Sequence, residues 1–105
     1  MKRGEIWRVN LDPTVGSEIR KSWPCVVVSP AEMHDFLRTV IVAPMTTKGR
    51  PAPFRIPVTH ASRKGLVLLD QMRSVDQVRL VSKLGAVSRK TLEVILGVLR
   101  EVFAG

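Results

Sequence analysis

The chain has 105 residues, 45% hydrophobic and 25% charged, with 17 Lys and Arg against 9 Asp and Glu, for a formal charge of +8. That length fits one domain spanning residues 1–105, and the ordinary apolar fraction supports a core without staples or disordered tails. The single cysteine, Cys25, excludes an intramolecular disulfide, and no apolar run approaches the ~18–20 residues of a membrane span, so the expectation is a cytoplasmic protein with no membrane partner.

The charge is unevenly spread. No acidic residue falls between Asp35 and Asp70, yet Arg38, Lys48, Arg50, Arg55, Arg63 and Lys64 all do. A polyphosphate partner selects for such a stretch, because each neutralised phosphate releases counterions. Solubility alone and an acidic protein partner are the competing explanations. Aromatic residues are scarce, which argues against a long stripe of stacked bases.

In chain order, residues 5–11 are rich enough in strand formers for a first strand. Asp12-Pro13 opens a polar loop running to Ser22, long for a hairpin and therefore a candidate functional segment. Trp23 is expected in that loop too. Pro24 starts a continuous run, Cys25 to Ser29, of the kind a strand buried on both faces carries. Cys25 is then a core thiol. Pro30 stops the run, and residues 31–37 suit one or two helical turns. Thr39 to Met45 is the third strand, followed by a loop from Thr46 to Pro53. Phe54 to Val58 reads as an edge strand, since Pro57 cannot donate to a central ladder.

Gly65 to Leu69 makes a fifth strand, and a short strand-like piece surrounds Val78 to Val81. Ser88 caps the one long helix, whose Leu92, Ile95, Leu96, Leu99, Val102 and Phe103 form an apolar stripe. Five or six short strands and a terminal helix predict a mainly β fold, a curled antiparallel sheet with a helix at one end.

The two histidines, His34 and His60, are isolated and have no spacing suited to a metal site, so no metal or other cofactor is expected. Small polar and basic residues at strand ends remain: Ser17, Glu18, Arg20, Lys21 and Trp23 near the first loop, Thr46 and Thr47 after the third strand, and Asp70, Gln71 and Arg73 after the fifth. Brought to one rim, this set suits RNA cleavage, in which the ribose 2′-hydroxyl is the internal nucleophile. Such a site needs a base for that hydroxyl, a donor for the developing phosphorane charge and an acid for the departing oxygen. The same residues also serve as turn caps and solvated surface charge, and spacing alone does not separate the two.

Arg3-Gly4-Glu5-Ile6-Trp7 and Leu11-Asp12-Pro13-Thr14-Val15-Gly16-Ser17-Glu18 resemble the opening of the MazF/PemK/Kid family of bacterial toxins. Pro24 to Pro30, Val42-Ala43-Pro44-Met45-Thr46-Thr47 and Leu69 to Asp76 resemble its later blocks in order. The resemblance covers residues 3 to about 103. It implies an SH3-like antiparallel β-barrel with a C-terminal helix, a homodimer, and metal-independent, sequence-specific cleavage of single-stranded RNA (mRNA) by 2′-hydroxyl attack, arresting translation and growth. It also implies a cognate antitoxin, and operator DNA bound through the antitoxin complex.

Carried over by position, the resemblance makes Thr46, Glu18 and Asp70 catalytic candidates. The family's arginine before the proline of the second strand is Trp23 here, and an indole cannot stabilise a phosphorane. Arg20 is the expected replacement, with Lys21 beside it. Ser17, Lys21, Trp23, Thr47, Lys48, Arg50, Arg55 and Gln71 are the expected RNA-binding residues. Two functions stay open: an RNA-cleaving toxin, and a catalytically weak or inactive RNA- or protein-binding module on the same fold.

Overall fold

A computed structural model describes residues 1–11 and 22–105. Seven strands form one curled antiparallel sheet: β1 (Glu5–Asn10), β2 (Ser22–Val27), β3 (Thr39–Thr46), β4 (Arg55–His60), β5 (Arg63–Leu68), β6 (Arg73–Asp76) and β7 (Leu80–Ala86). The sheet order is β4-β5-β3-β2-β1-β7, with β6 pairing β3 off this path. Helix α1 (Ala31–Phe36) joins β2 to β3, and α2 (Arg89–Phe103) closes the chain. Single 3-10 turns at Leu69–Gln71 and Gln77–Arg79 flank β6. The result is the expected mainly β fold, a curled antiparallel sheet, here a half-barrel, with a C-terminal helix.

The valine run of β2 is buried on both faces, and two core clusters result. Val26 and Val28 join Ile6, Ala43, Met45, Ile56, Val58, Val67 and Leu69 on one side. Cys25 and Val27 join Val9, Val40, Val42, Val75 and Leu80 on the other. Burial pushes the Cys25 thiol up to about 12, against a smaller opposing pull from Arg73. Only Ile95 of α2 is fully buried, with Val98 and Leu99 packed at the margin of the first cluster; Val102 and Phe103 stay exposed. The apolar stripe of α2 is therefore only partly used. Ser88 does cap that helix, its Oγ accepting the Thr91 N–H at 3.1 Å.

Prolines mark where strands change neighbours. Pro57 lies in β4, which forms one edge of the sheet, as its missing N–H requires. Pro44 lies inside β3, in the gap between the residues that pair β6 (39–42) and those that pair β5 (45–46). Pro24 pairs only with Arg8 of β1, because β2 meets β3 from Cys25 onward. Trp23 accordingly belongs to β2, opposite Val9, and not to the preceding loop.

Two further elements differ from expectation. Arg73–Asp76 is a true strand, and the piece expected around Val78 is a 3-10 turn followed by the longer β7. Ser29, 2% exposed, is the buried polar residue that ties α1 to the sheet. Its Oγ accepts the Ile41 N–H at 2.9 Å and donates to His34 Nε2 at 2.7 Å, while His34 Nδ1 donates to the Met1 carbonyl at 3.2 Å. No helix among the described residues is long and apolar enough to cross a membrane.

Candidate active site

β3 ends at Thr46, and the chain turns at once. The Lys48 N–H donates to Thr46 Oγ1 at 3.1 Å, which leaves the hydroxyl proton of Thr46 available to a ligand. β5 runs alongside, pairing Leu66 with Thr46. Gly65 permits that approach: a Cβ there would lie 2.6 Å from the Thr46 carbonyl oxygen. The strand therefore needs a glycine at this position for steric reasons alone.

A two-residue hairpin joins β4 to β5, with His60 paired to Arg63 across it. Its central residues, Ala61 and Ser62, both hold positive φ angles of 52° and 64°. Tight hairpins require this twist, yet neither residue is the glycine or asparagine that adopts it at low cost. The hairpin carries His60, Ala61, Arg63 and Lys64 to the rim beside Thr46.

The opposite wall comes from β1, β2 and β7. Arg8 pairs with Pro24, and its Nη1 donates to Ser22 Oγ at 3.3 Å. Trp23 stands next to them, 43% exposed. In β7, Gly85 pairs with Ile6 and Lys83 with Trp7, so Leu84 between them is a bulge, directed into the groove. Bulges often re-aim a side chain beside a functional site. Together these walls enclose an open groove of about 550 Å³, within the range of ligand sites.

Its charge is one-sided. Arg8, Lys48, Arg63 and Lys64 line it, and no carboxylate does so among the described residues. None of these four cations joins an ion pair among the described residues. A groove with unpaired cations and a hydroxyl donor suits a phosphodiester.

The structure thus brings together Thr46, Thr47, Lys48 and Trp23 of the expected residues. Asp70 and Gln71 do not line the groove with them. Both sit in the turn after β5, and Asp70 is bound by Arg55 instead. Asp70 lies beyond the β3–β5 pairing, in which Thr46 faces Leu66, and the neighbouring β4 supplies the arginine that takes its carboxylate. Arg50 and Arg55 also lie outside the groove lining. Ser17, Glu18, Arg20 and Lys21 lie outside the described residues.

Arg8, His60, Arg63, Lys64 and Leu84 are lining residues that the sequence did not single out as a site. Arg63 and Lys64 belonged to the acid-free stretch. Arg8 and His60 carried no local signal, because only the sheet closure delivers them.

A model of PemK-like, MazF-like toxins of type II toxin–antitoxin systems matches residues 2–103. An Escherichia coli endoribonuclease PemK is 38% identical over 81 residues, covering 72% of this chain and 61% of that relative. The endoribonuclease toxin MazF of Escherichia coli K12 is 32% identical over 93 residues, covering 88% of this chain and 84% of its own. Among solved structures, MazF from Deinococcus radiodurans superposes with a TM-score of 0.81 at 25% identity, covering 100% of this chain and 97% of that one. A mycobacterial endoribonuclease in complex with its cognate antitoxin has the same fold, with a TM-score of 0.81 at 22% identity and coverage of 96% and 92%.

Proposed function

The chain belongs to the PemK-like, MazF-like toxins of type II toxin–antitoxin systems, and from that membership we propose that it is an endoribonuclease whose substrate lies in the groove beside Thr46. The observation that carries this reading is the gathering of Thr46 with Arg8, Lys48, Arg63 and Lys64 in one groove. A single RNA strand lies along it, its phosphates on the cations and one base on Trp23.

The 2′-hydroxyl of a ribose attacks the adjacent phosphorus and the 5′-oxygen leaves, giving a 2′,3′-cyclic phosphate and a 5′-hydroxyl. Thr46 donates its hydroxyl proton to a non-bridging phosphate oxygen, and the groove cations hold the phosphorane charge. Position 23 carries no arginine, so a guanidinium must come from elsewhere. Arg8, beside Trp23, and Arg20 are the two proposed to supply it, with Glu18 a further catalytic candidate. Cleavage is read as sequence-specific and directed at messenger RNA in the cytoplasm. The working form is a homodimer, whose cognate antitoxin covers the groove and joins it at operator DNA.

The test is cleavage of single-stranded RNA in excess chelator, with analysis of the product ends. Cyclic phosphate termini are expected, and their absence with retained RNA binding favours the second reading. That reading, a non-catalytic module, is motivated by Trp23. In that case Trp23→Arg should turn an inert protein into a measurable nuclease.

A further inference from the structure

We infer that His60 is the proton-accepting group of the groove, taking the 2′-hydroxyl proton as the strand is cut; this rests on the ribonuclease reading above. The groove's described lining holds four cations, two threonines, an indole and apolar groups. Arg, Lys and Trp have no basic lone pair to offer, and a threonine hydroxyl is a poor proton acceptor. Imidazole is the one group among them that takes up a proton and gives it back near neutral pH.

The two histidines of the chain are built differently. His34 has both ring nitrogens engaged, one by Ser29 and one by Met1, as a histidine kept for structure does. The His60 ring has no hydrogen-bond partner among the described residues, although it is half-buried. It is nonetheless held in place. A Cβ on Gly85 would lie 3.0 Å from its Cε1 and 3.5 Å from its Nδ1, so the ring rests against β7 where that strand has no side chain. β4 and β7 are the two ends of the sheet path, and the ring spans the gap between them. The bulge that brings Leu84 to the groove therefore adjoins the seat of His60. Arg8, Lys48, Arg63 and Lys64 are the charged groups of the groove it faces.

The step balances as follows. The neutral imidazole takes the 2′-hydroxyl proton while the O2′–P bond forms and the P–O5′ bond breaks. The 5′-oxygen leaves with a proton from water, and the imidazolium returns its proton to the hydroxide so formed. Thr46 and the cations hold the phosphorane but gain or lose no proton overall.

The experiment is single-turnover cleavage of a short single-stranded RNA by the parent, His60→Gln and Glu18→Gln across about pH 5 to 9, the range in which imidazole titrates. His60→Gln is expected to slow cleavage by about 10²-fold and to lose the acidic limb of the profile. Its affinity for a 2′-deoxy analogue that cannot be cut should match the parent's. His60→Ala should regain rate when imidazole is added to the buffer, a rescue that a packing role does not produce. Parent-like cleavage by His60→Gln, or removal of the acidic limb by Glu18→Gln alone, overturns the inference while the ribonuclease reading stands. A parent that binds RNA but never cuts it overturns both.

Discussion

Arg55 grips Asp70 with two guanidinium nitrogens, Nε 3.3 Å from Oδ1 and Nη2 3.1 Å from Oδ2. The hydrogen bond from Arg55 holds the Asp70 carboxyl below the usual carboxylate range. Both side chains are more than a third exposed, so water and salt screen the pair and its worth is at most about 1 kcal/mol. Asp70→Asn should therefore lower the urea midpoint slightly at neutral pH. The deficit should shrink as pH falls through the folded pKa, where the parent loses the same charge. Because the pair lies away from the groove, cleavage should stay close to the parent rate. A large loss of rate with normal stability places Asp70 back among the reacting groups.

Glu5 is the better-protected carboxylate, with its side chain 13% exposed. Burial pushes its pKa up, but Lys83 Nζ at 2.8 Å, the Lys2 N–H at 2.8 Å and Trp7 Nε1 at 3.1 Å outweigh that and lower it to about 2. A depressed pKa stabilises the fold above the unfolded value near 4.5, and that contribution is lost as pH falls toward 2. Glu5→Gln should cost on the order of 1–3 kcal/mol at pH 7 and flatten acid unfolding between about pH 5 and 2. Denaturant midpoints measured down that pH range check it.

Gly65→Ala sets a Cβ 2.6 Å from the Thr46 carbonyl oxygen, with the Thr46–Thr47 backbone as its other near neighbour. Overpacking of this kind costs about 1–3 kcal/mol and shifts Thr46. Gly97 lies in α2, and a Cβ there meets nothing within 4 Å. Gly97→Ala should instead stabilise by about 0.5–1 kcal/mol. Thermal melts of the two variants should move in opposite directions.

Charge removal in the groove should read out in salt dependence. Replacing Lys48, Arg63 and Lys64 with glutamine should reduce the slope of log K against log salt by about 2 for single-stranded RNA. Arg50→Gln with Arg55→Gln, whose parent residues lie outside the lining, should leave the slope nearly unchanged. Equal slopes for the triple variant and the parent would falsify the groove as the RNA path.

The elements that the sequence declared were those with local causes. The double-sided burial of β2 follows from unbroken β-branched residues, the β4 edge from Pro57, and the start of α2 from Ser88. β6 was missed because only Val75 of its four residues is buried, and its partner β3 is some thirty residues away. Trp23 was assigned to a loop because Pro24 looked like a strand start. In the fold, the chain pairs with β1 before it reaches β3. Of the site, Thr46 and Lys48 were visible as a strand end followed by a basic turn. His60 and Arg8 were not, since they meet only when β4 and β7 close on each other. Asp70 follows β5 as the sequence indicates, but its carboxylate goes to Arg55 of the adjacent β4 and does not line the groove.

The burial of Cys25 bears on chemical labelling. Its side chain is wholly covered, and a thiol pushed up to about 12 holds almost no thiolate at neutral pH. Maleimides and disulfide reagents should pass the native chain by, so no background cysteine has to be removed first. Ala61→Cys, at the tip of the β4–β5 hairpin, then offers a single reactive thiol on the rim of the groove. A dye attached there reports, by its emission, whatever enters between that hairpin and Trp23.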